Sequence, residues 1–263
     1  MLKVKNACKT FLVGTVNEHK ALCGVDLHLK PGDFYTVIGT NGSGKSTLFN
    51  SIAGNFLLDD GEIVLDGVDI TYMKEHKRAK MIGRMFQDPM KGTAPDMTIE
   101  ENLTLAYSRS HKGLFSKAIR KKDSNTFREI LAQLDMGLEN RMKTKMKLLS
   151  GGQRQSVTLM MSTIAKPKLL LLDEHTAALD PVSAEKVLRL TNEIVGRDKL
   201  TTLMITHNIT SALRLGTHTI MLDRGNIILE LSGAERDGLT VQGLMDIYYK
   251  KSSRVFDTDS MLL

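Results

Sequence analysis

Polar and apolar residues alternate at Val25, Leu27 and Leu29, which predicts a half-buried strand, and Pro31-Gly32 then reads as a turn. Phe34 to Ile38 is an apolar run of the kind that forms a fully buried strand. It stops at Gly39, and a helix is predicted from about Lys45 to Gly54. Glu62 to Leu65 and Ile82 to Phe86 read as short strands, the first followed by the turn pair Asp66-Gly67 and the second by the break Gln87-Asp88-Pro89. From there to about Leu148 the pattern becomes helical and charged. Thr98-Ile99-Glu100-Glu101 has the spacing of a capping box ahead of Leu103 and Leu105. Gly152 to Ala165 predicts a helix that stops before Pro167, and Leu169 to Leu172 is a wholly apolar strand. Asp180-Pro181 places proline at a first helical position. Thr202 to Thr206 and Thr219 to Leu222 read as strands, and Arg224-Gly225-Asn226 as a hairpin turn. Strand and helix alternate at both ends of the chain, so the expected class is α/β with a mostly parallel sheet and an inserted helical segment.

Composition changes this picture little. The 263 residues suffice for one large α/β domain or two small ones, and 41% apolar with 25% charged residues is ordinary for a globular chain. No run approaches the roughly 20 apolar residues of a membrane-spanning helix. Met1 to Lys5 lacks a signal-peptide core, so the expected compartment is the cytosol. Cys8 and Cys23 show neither metal-ligand spacing nor a disulfide framework. The net charge of +6 would suit an anionic partner, yet aromatic residues make up 5% and tryptophan is absent. A lysine-rich solvated surface is the plainer reading, and no nucleic-acid partner is expected.

Chemistry enters at Gly39-Thr40-Asn41-Gly42-Ser43-Gly44-Lys45-Ser46, which fits G-x-x-x-x-G-K-[ST] between a predicted strand and a predicted helix. Glycines let successive backbone N–H groups curl around one anion, and the helix start adds its dipole. Lys45 is placed to reach the β- and γ-phosphates, and Ser46, followed by Thr47, to meet Mg²⁺ and the phosphates. The apolar strand at 169–172 ends in Asp173 and Glu174. Acids at the carboxyl end of a parallel strand lie where α/β folds bind ligands. Asp173 is the expected Mg²⁺ carboxylate, and Glu174 the general base or water-positioner. Leu149-Ser150-Gly151-Gly152-Gln153 offers a second hydroxyl-and-amide nest at a helix start, with an ordinary serine cap as the alternative.

Taken together, these motifs resemble those of the ABC ATPases, over roughly residues 3–230. Ser150, Gly151, Gly152 and Gln153 match the family signature, which implies contact with the γ-phosphate of ATP held by an opposite subunit and hence a homodimer. Gln87 matches the Q-loop glutamine that senses Mg²⁺ and the lytic water. Asp180, in Ala178-Leu179-Asp180, matches the D-loop, and His207 matches the switch histidine. Phe11 stands near the place of the aromatic that stacks on adenine, with a core role as the alternative. The resemblance implies ATP and Mg²⁺ as cofactors. It also implies a P-loop core (about 1–88 and 160–250), an N-terminal antiparallel β subdomain, a helical subdomain (about 89–159) and a short tail (251–263). Residues 256–263 read as disordered.

His175 departs from the family, which usually has proline after the glutamate. It is expected either to change how the loop is held or to tune charge near neutral pH. The variant is similar to a bacterial group of amino-acid importer ATPases, for tryptophan or tyrosine in some members. A transporter subunit on the cytoplasmic face of the membrane is therefore expected. Its implied partners are membrane permease subunits and an extracytoplasmic solute-binding protein. Docking to the permease is expected at Gln87 and residues 90–97, and import is favoured because residues 141–147 lack an exporter-type loop. The alternative is a soluble ABC ATPase acting on DNA or ribosomes. Relatives of that kind carry a long coiled coil or two cassettes, and this chain shows neither.

Overall fold

The computed structural model describes residues 1–108 and 121–251, so the tail reading at 256–263 lies outside the described residues. The strands are β1 (Leu2–Phe11), β2 (His19–Leu29), β3 (Phe34–Ile38), β4 (Asp60–Leu65), β5 (Val68–Asp69), β6 (Ile82–Met85), β7 (Leu169–Asp173), β8 (Thr201–Ile205), β9 (His218–Asp223) and β10 (Asn226–Ser232). The helices are α1 (Lys45–Ala53), α2 (Glu75–Arg78), α3 (Ile99–Ser108), α4 (Lys121–Ala132), α5 (Gly151–Thr163), α6 (Pro181–Asp198), α7 (Ile209–Arg214) and α8 (Val241–Lys251). The chain forms two compact units, Met1–Ala79 with the chain from Lys199 onward, and Lys80–Asp198.

The first unit contains an antiparallel sheet in the order β2-β1-β4-β5. It also holds β3, which pairs in parallel with both β8 and β9, and β10, which returns antiparallel on β9 through the predicted turn at Arg224-Gly225. Every side chain of β3 and of β8 is buried, as expected for parallel strands covered on both faces. Ile38, Met221, Leu229 and Leu231 from the strands meet Ile209 and Ala212 of α7 and Leu244, Met245 and Tyr248 of α8 in one apolar cluster. Helices α7 and α8 have no counterpart in the sequence reading. Helix α7 is only six residues long, while α8 repeats apolar residues at Val241, Leu244, Met245 and Tyr248, a helical spacing that the sequence reading passed over.

Arg78 is 0% exposed although its charge is permanent. It donates to the carbonyls of Ser51 (2.6 Å) and Ile52 (2.9 Å) in the last turn of α1, and to those of Met73 (2.7 Å) and Thr71 (3.0 Å). A cation at the carboxyl end of a helix satisfies otherwise orphaned carbonyls and complements the dipole. Gly54, at the left-handed C-cap with φ 93°, completes the arrangement, because a Cβ there would lie 2.9 Å from the Arg78 Nε.

The second unit pairs β6 with β7 in parallel, and α5 packs against β6. The capping box at Thr98 forms as expected: Glu101 accepts from the Thr98 N–H (2.7 Å), and the Glu101 N–H donates to the Thr98 hydroxyl (3.3 Å). The expected docking segment, 90–97, is anchored in this unit. Buried Asn102 accepts from the Ala94 N–H (2.8 Å) and donates back to the Ala94 carbonyl (3.0 Å). Asp96 pairs with Lys147 at 2.6 Å.

Arg78→Met should lower the free energy of unfolding by about 3 kcal/mol, since it strands four carbonyls that are now bonded to one charge. Urea denaturation of the purified chain measures this, and a loss below about 1 kcal/mol would show that the carbonyls find other donors.

Candidate functional site

The phosphate-loop residues all lie in the first unit, between β3 and α1. Gly39 has φ 147°, and a Cβ there would stand 2.2 Å from the Leu222 carbonyl oxygen. Gly44 has φ 106°, and its Cβ would stand 2.4 Å from the Ala21 carbonyl oxygen. Only glycine fits both the left-handed backbone and the close approach of these strands. The turn Thr40-Asn41-Gly42-Ser43 is closed by the Ser43 N–H on the Thr40 carbonyl (3.1 Å) and tied down by the Gly225 N–H on the Ser43 carbonyl (3.0 Å). Gly44 is the N-cap of α1, which has no side-chain cap and no acid in its first turn. The N-terminal end of α1 therefore keeps the unneutralised positive pole that an anion needs. Lys45 is 5% exposed, and its ammonium donates to the carbonyls of Gly39 (2.7 Å) and Thr40 (2.8 Å), which folds the side chain back over the loop. Asn41, Gly42 and Ser46 are exposed, Ser43 is buried and Thr47 is half-buried. The buried Ser43 hydroxyl has no hydrogen-bond partner among the described residues.

In the same unit, His207 follows β8 and is half-buried. The residue after it, Asn208, caps α7 by accepting from the Ser211 N–H at 2.7 Å, and its own N–H donates to the Thr206 hydroxyl at 3.1 Å. His207 is thus fixed on both sides by the turn that starts a helix. Phe11 is half-buried and stacks edge-on with Phe56, with ring centroids 5.2 Å apart. Lys9 lies over the same ring at 5.7 Å. Phe11 is therefore outside the main core, on the side of the unit that carries the exposed Leu12 and Val13.

The carboxylates belong to the second unit. Four buried leucines carry β7 to Asp173, whose carboxylate lies 3.9 Å from the Arg84 guanidinium on neighbouring β6. Glu174 follows in the left-handed region, with φ 45°. A non-glycine residue pays about 1 kcal/mol or more for that conformation, so the surroundings must enforce it. The Ala177 N–H closes a turn on the Glu174 carbonyl at 3.0 Å. Gln87 is exposed just past β6, where Asp88 accepts from the Met90 N–H at 2.9 Å.

Ser150 is the N-cap of α5 in a full capping box: its hydroxyl accepts from the Gln153 N–H (3.3 Å), and the Gln153 side chain accepts from the Ser150 N–H (3.2 Å). The glycines that follow sit in tight places, Gly152 the tighter. A Cβ on Gly151 would sit 3.1 Å from Leu179, and one on Gly152 would sit 2.9 Å from Ser183 at the start of α6. Asp180 caps α6 by accepting from the Ser183 N–H at 3.0 Å, and hydrogen bonds from the Ser183 side chain and backbone hold its carboxyl below the usual range.

His175 is 2% exposed, and burial pulls its imidazole from the ordinary 6.5 down to about 4. The ring is neutral at physiological pH, so the expectation that it tunes charge near neutrality fails; the other expectation, a role in holding the loop, is the one that agrees with its contacts. Two neighbours escaped the sequence reading. Gln155, 1% exposed, donates to the His175 carbonyl, and its position just beyond the signature gave no hint. Arg84 was legible only as a charge inside an apolar strand.

Each residue expected to hold Mg²⁺ offers a hard oxygen: the exposed Ser46 hydroxyl, the Gln87 amide and the Asp173 carboxylate. No three His, Cys, Asp or Glu side chains converge on a metal-binding point among the described residues. That donor set fits Mg²⁺, which takes few protein ligands and fills its shell with water and phosphate oxygens.

Comparisons with known proteins agree with these features. A family model described as ABC transporter matches residues 22–177. A tyrosine transport ATP-binding protein of Clostridioides difficile (strain R20291) is 41% identical over 246 residues, covering 94% of this chain and 98% of that one. A methionine import ATP-binding protein of Rhizobium johnstonii is 35% identical over 80% of this chain and 56% of its own length. Among solved structures, a dimeric ATP-binding cassette in a post-hydrolysis state with ADP and Pi has a TM-score of 0.74 at 30% identity, covering 88% of this chain and 98% of that one. The ADP conformation of an ATP-binding cassette of an ABC transporter has a TM-score of 0.76 at 29% identity, covering 95% and 98%.

Lys45→Ala should weaken ATP binding about 10- to 100-fold, the effect of one or more charge-assisted phosphate contacts. Titration with ATP reads this directly, and an unchanged affinity would remove Lys45 from the phosphate site.

Proposed function

Because the chain belongs to the ABC transporter ATP-binding family, and is thereby an ATPase subunit of transporters, we propose that it energises import of a small solute, an amino acid such as tyrosine. The observation that carries the cargo reading is the 41% identity to a tyrosine transport ATP-binding protein along nearly the whole of both chains. No helix among the described residues is long and apolar enough to cross a membrane. The family likeness supports membrane permease subunits as the partners that form the translocation path. The chain works at the cytoplasmic face of the membrane, with an extracytoplasmic binding protein delivering the solute. Residues 90–97 are the docking surface for the permease.

In this reading the amides of Gly39 to Thr47 and the Lys45 ammonium hold the ATP phosphates. Phe11 packs on the adenine. Mg²⁺, held by Ser46, Gln87 and Asp173, supplies charge neutralisation on the phosphates when bound. Glu174 takes the proton of the attacking water, Gln87 orients that water, and His207 hydrogen-bonds the γ-phosphate. Ser150, Gly151, Gly152 and Gln153 present a hydroxyl and a helix start to ATP on a second copy of the chain, with Asp180 at the same dimer contact. The solved dimeric relative supports that assembly.

Uptake of labelled tyrosine by cells lacking the chain tests the transport reading. Wild-type chain should restore uptake. Glu174→Gln should bind ATP normally yet restore none, because an amide cannot accept the proton. Met97→Glu should reduce uptake while ATP turnover by the isolated subunit stays within about twofold. Full tyrosine uptake without the chain would overturn the cargo reading.

The shared site has its own test. A Lys45→Ala chain and a Ser150→Arg chain, each inactive alone, should regain part of the wild-type turnover when mixed, since one composite site in the mixed dimer is intact. Absence of recovery in mixed dimers shown to form would exclude the arrangement.

A further inference from the structure

Glu174 can act on water only if its carboxylate is held in one place, and its own backbone does not secure that. Its φ of 45° lies where a non-glycine residue is strained, so contacts from outside the turn must fix the following residue. Where the family has proline, the ring of that residue would fix one dihedral by covalent geometry. His175 has no such ring, and its backbone must be restrained by other means.

Both ends of His175 are restrained. On the main chain, its carbonyl accepts the side-chain amide of Gln155, from the second turn of α5. The Gln155 Oε1 is buried with no partner among the described residues, so the amide has no evident polar purpose in the unit except this bond. On the side chain, the His175 Nε2 lies 3.1 Å from the Thr191 hydroxyl of α6. The direction of that bond follows from the threonine. Its single hydroxyl hydrogen is donated to the Val187 carbonyl at 2.9 Å, so its oxygen accepts and the imidazole carries its proton on Nε2. The peptide between Glu174 and Thr176 is clamped between two helices. One of them, α5, begins at the signature serine, and the other, α6, begins at Asp180. The close approach of those helix starts, which Gly151 and Gly152 permit, belongs to the same packing.

We propose that His175 is a positioning residue for Glu174, replacing the covalent restraint of a proline by a two-ended hydrogen-bond clamp through Thr191 and Gln155. The proposal rests on the reading of Glu174 as the group that activates water. The Nε2–H donor is the part unique to histidine. A side chain of similar volume without a donor should fill the space and release the clamp.

The test compares His175→Phe, Thr191→Val and Thr191→Ser, each alone and combined with Glu174→Gln, by steady-state ATP hydrolysis and thermal unfolding. Thr191→Val is nearly isosteric and should fold even if His175→Phe does not. His175→Phe and Thr191→Val should lower kcat about 10-fold with KM for ATP within twofold, and Thr191→Ser, which keeps the acceptor, should restore wild-type kcat. In the Glu174→Gln background the same changes should lower the residual rate less than twofold, since the group they position is gone. Wild-type kcat in folded Thr191→Val, or a full 10-fold loss that persists in the Glu174→Gln background, would overturn the positioning role. Wild-type turnover by Glu174→Gln itself would instead overturn the reading of Glu174 on which it rests.

Discussion

The phosphate loop depends on an end of α1 that has neither a side-chain cap nor an acid in its first turn. A helix start normally carries a serine, threonine or aspartate that accepts one of its free N–H groups. Here the cap is Gly44, in a left-handed conformation, and the first turn holds no acid. The backbone around it is shaped by strand neighbours: the Leu222 carbonyl stands against Gly39 and the Ala21 carbonyl against Gly44, close enough to exclude any Cβ. Lys45 then lies over the loop on two carbonyls, which satisfies a buried ammonium. At the other end of the same helix Arg78 satisfies the carbonyls. The helix therefore has a finished carboxyl end and an uncapped amino end.

A different constraint governs the second unit. Its two acids follow the four buried leucines of β7, and Asp173 lies 3.9 Å from Arg84 on the neighbouring strand. The flanking helices restrain the chain that follows. The capping box at Ser150 fixes where α5 begins, Asp180 fixes where α6 begins, and the small residues at 151 and 152 let the two starts approach. A signature rich in serine and glycine thus has a packing reason. The buried, neutral His175 belongs to this packing. Its low proton affinity means that it behaves as a fixed hydrogen-bond donor at physiological pH and does not act as a switch.

Much of this was legible in the order of residues alone, wherever the physics is local. Phe34–Ile38 needed only its run of buried-type side chains, and the box at Thr98 only its spacing to Glu101. The phosphate loop, the acids after 169–172 and the signature carry their chemistry within a few residues, so the family could be read before any coordinates. Tertiary structure decided what depends on partners distant in sequence. Cys8 and Cys23 are register partners on β1 and β2 and remain free thiols, a pairing that spacing could not reveal. Phe11 meets Phe56 because β1 ends beside the chain that follows α1. The partners of Arg78 are carbonyls of α1 far from it in sequence, and Gln155 and Thr191 meet at His175 only because α5 and α6 pack beside it. A local motif fixes which atoms are offered to a ligand, but the burial and hydrogen-bond partners that hold those atoms still come from packing, and packing is a property of the folded chain.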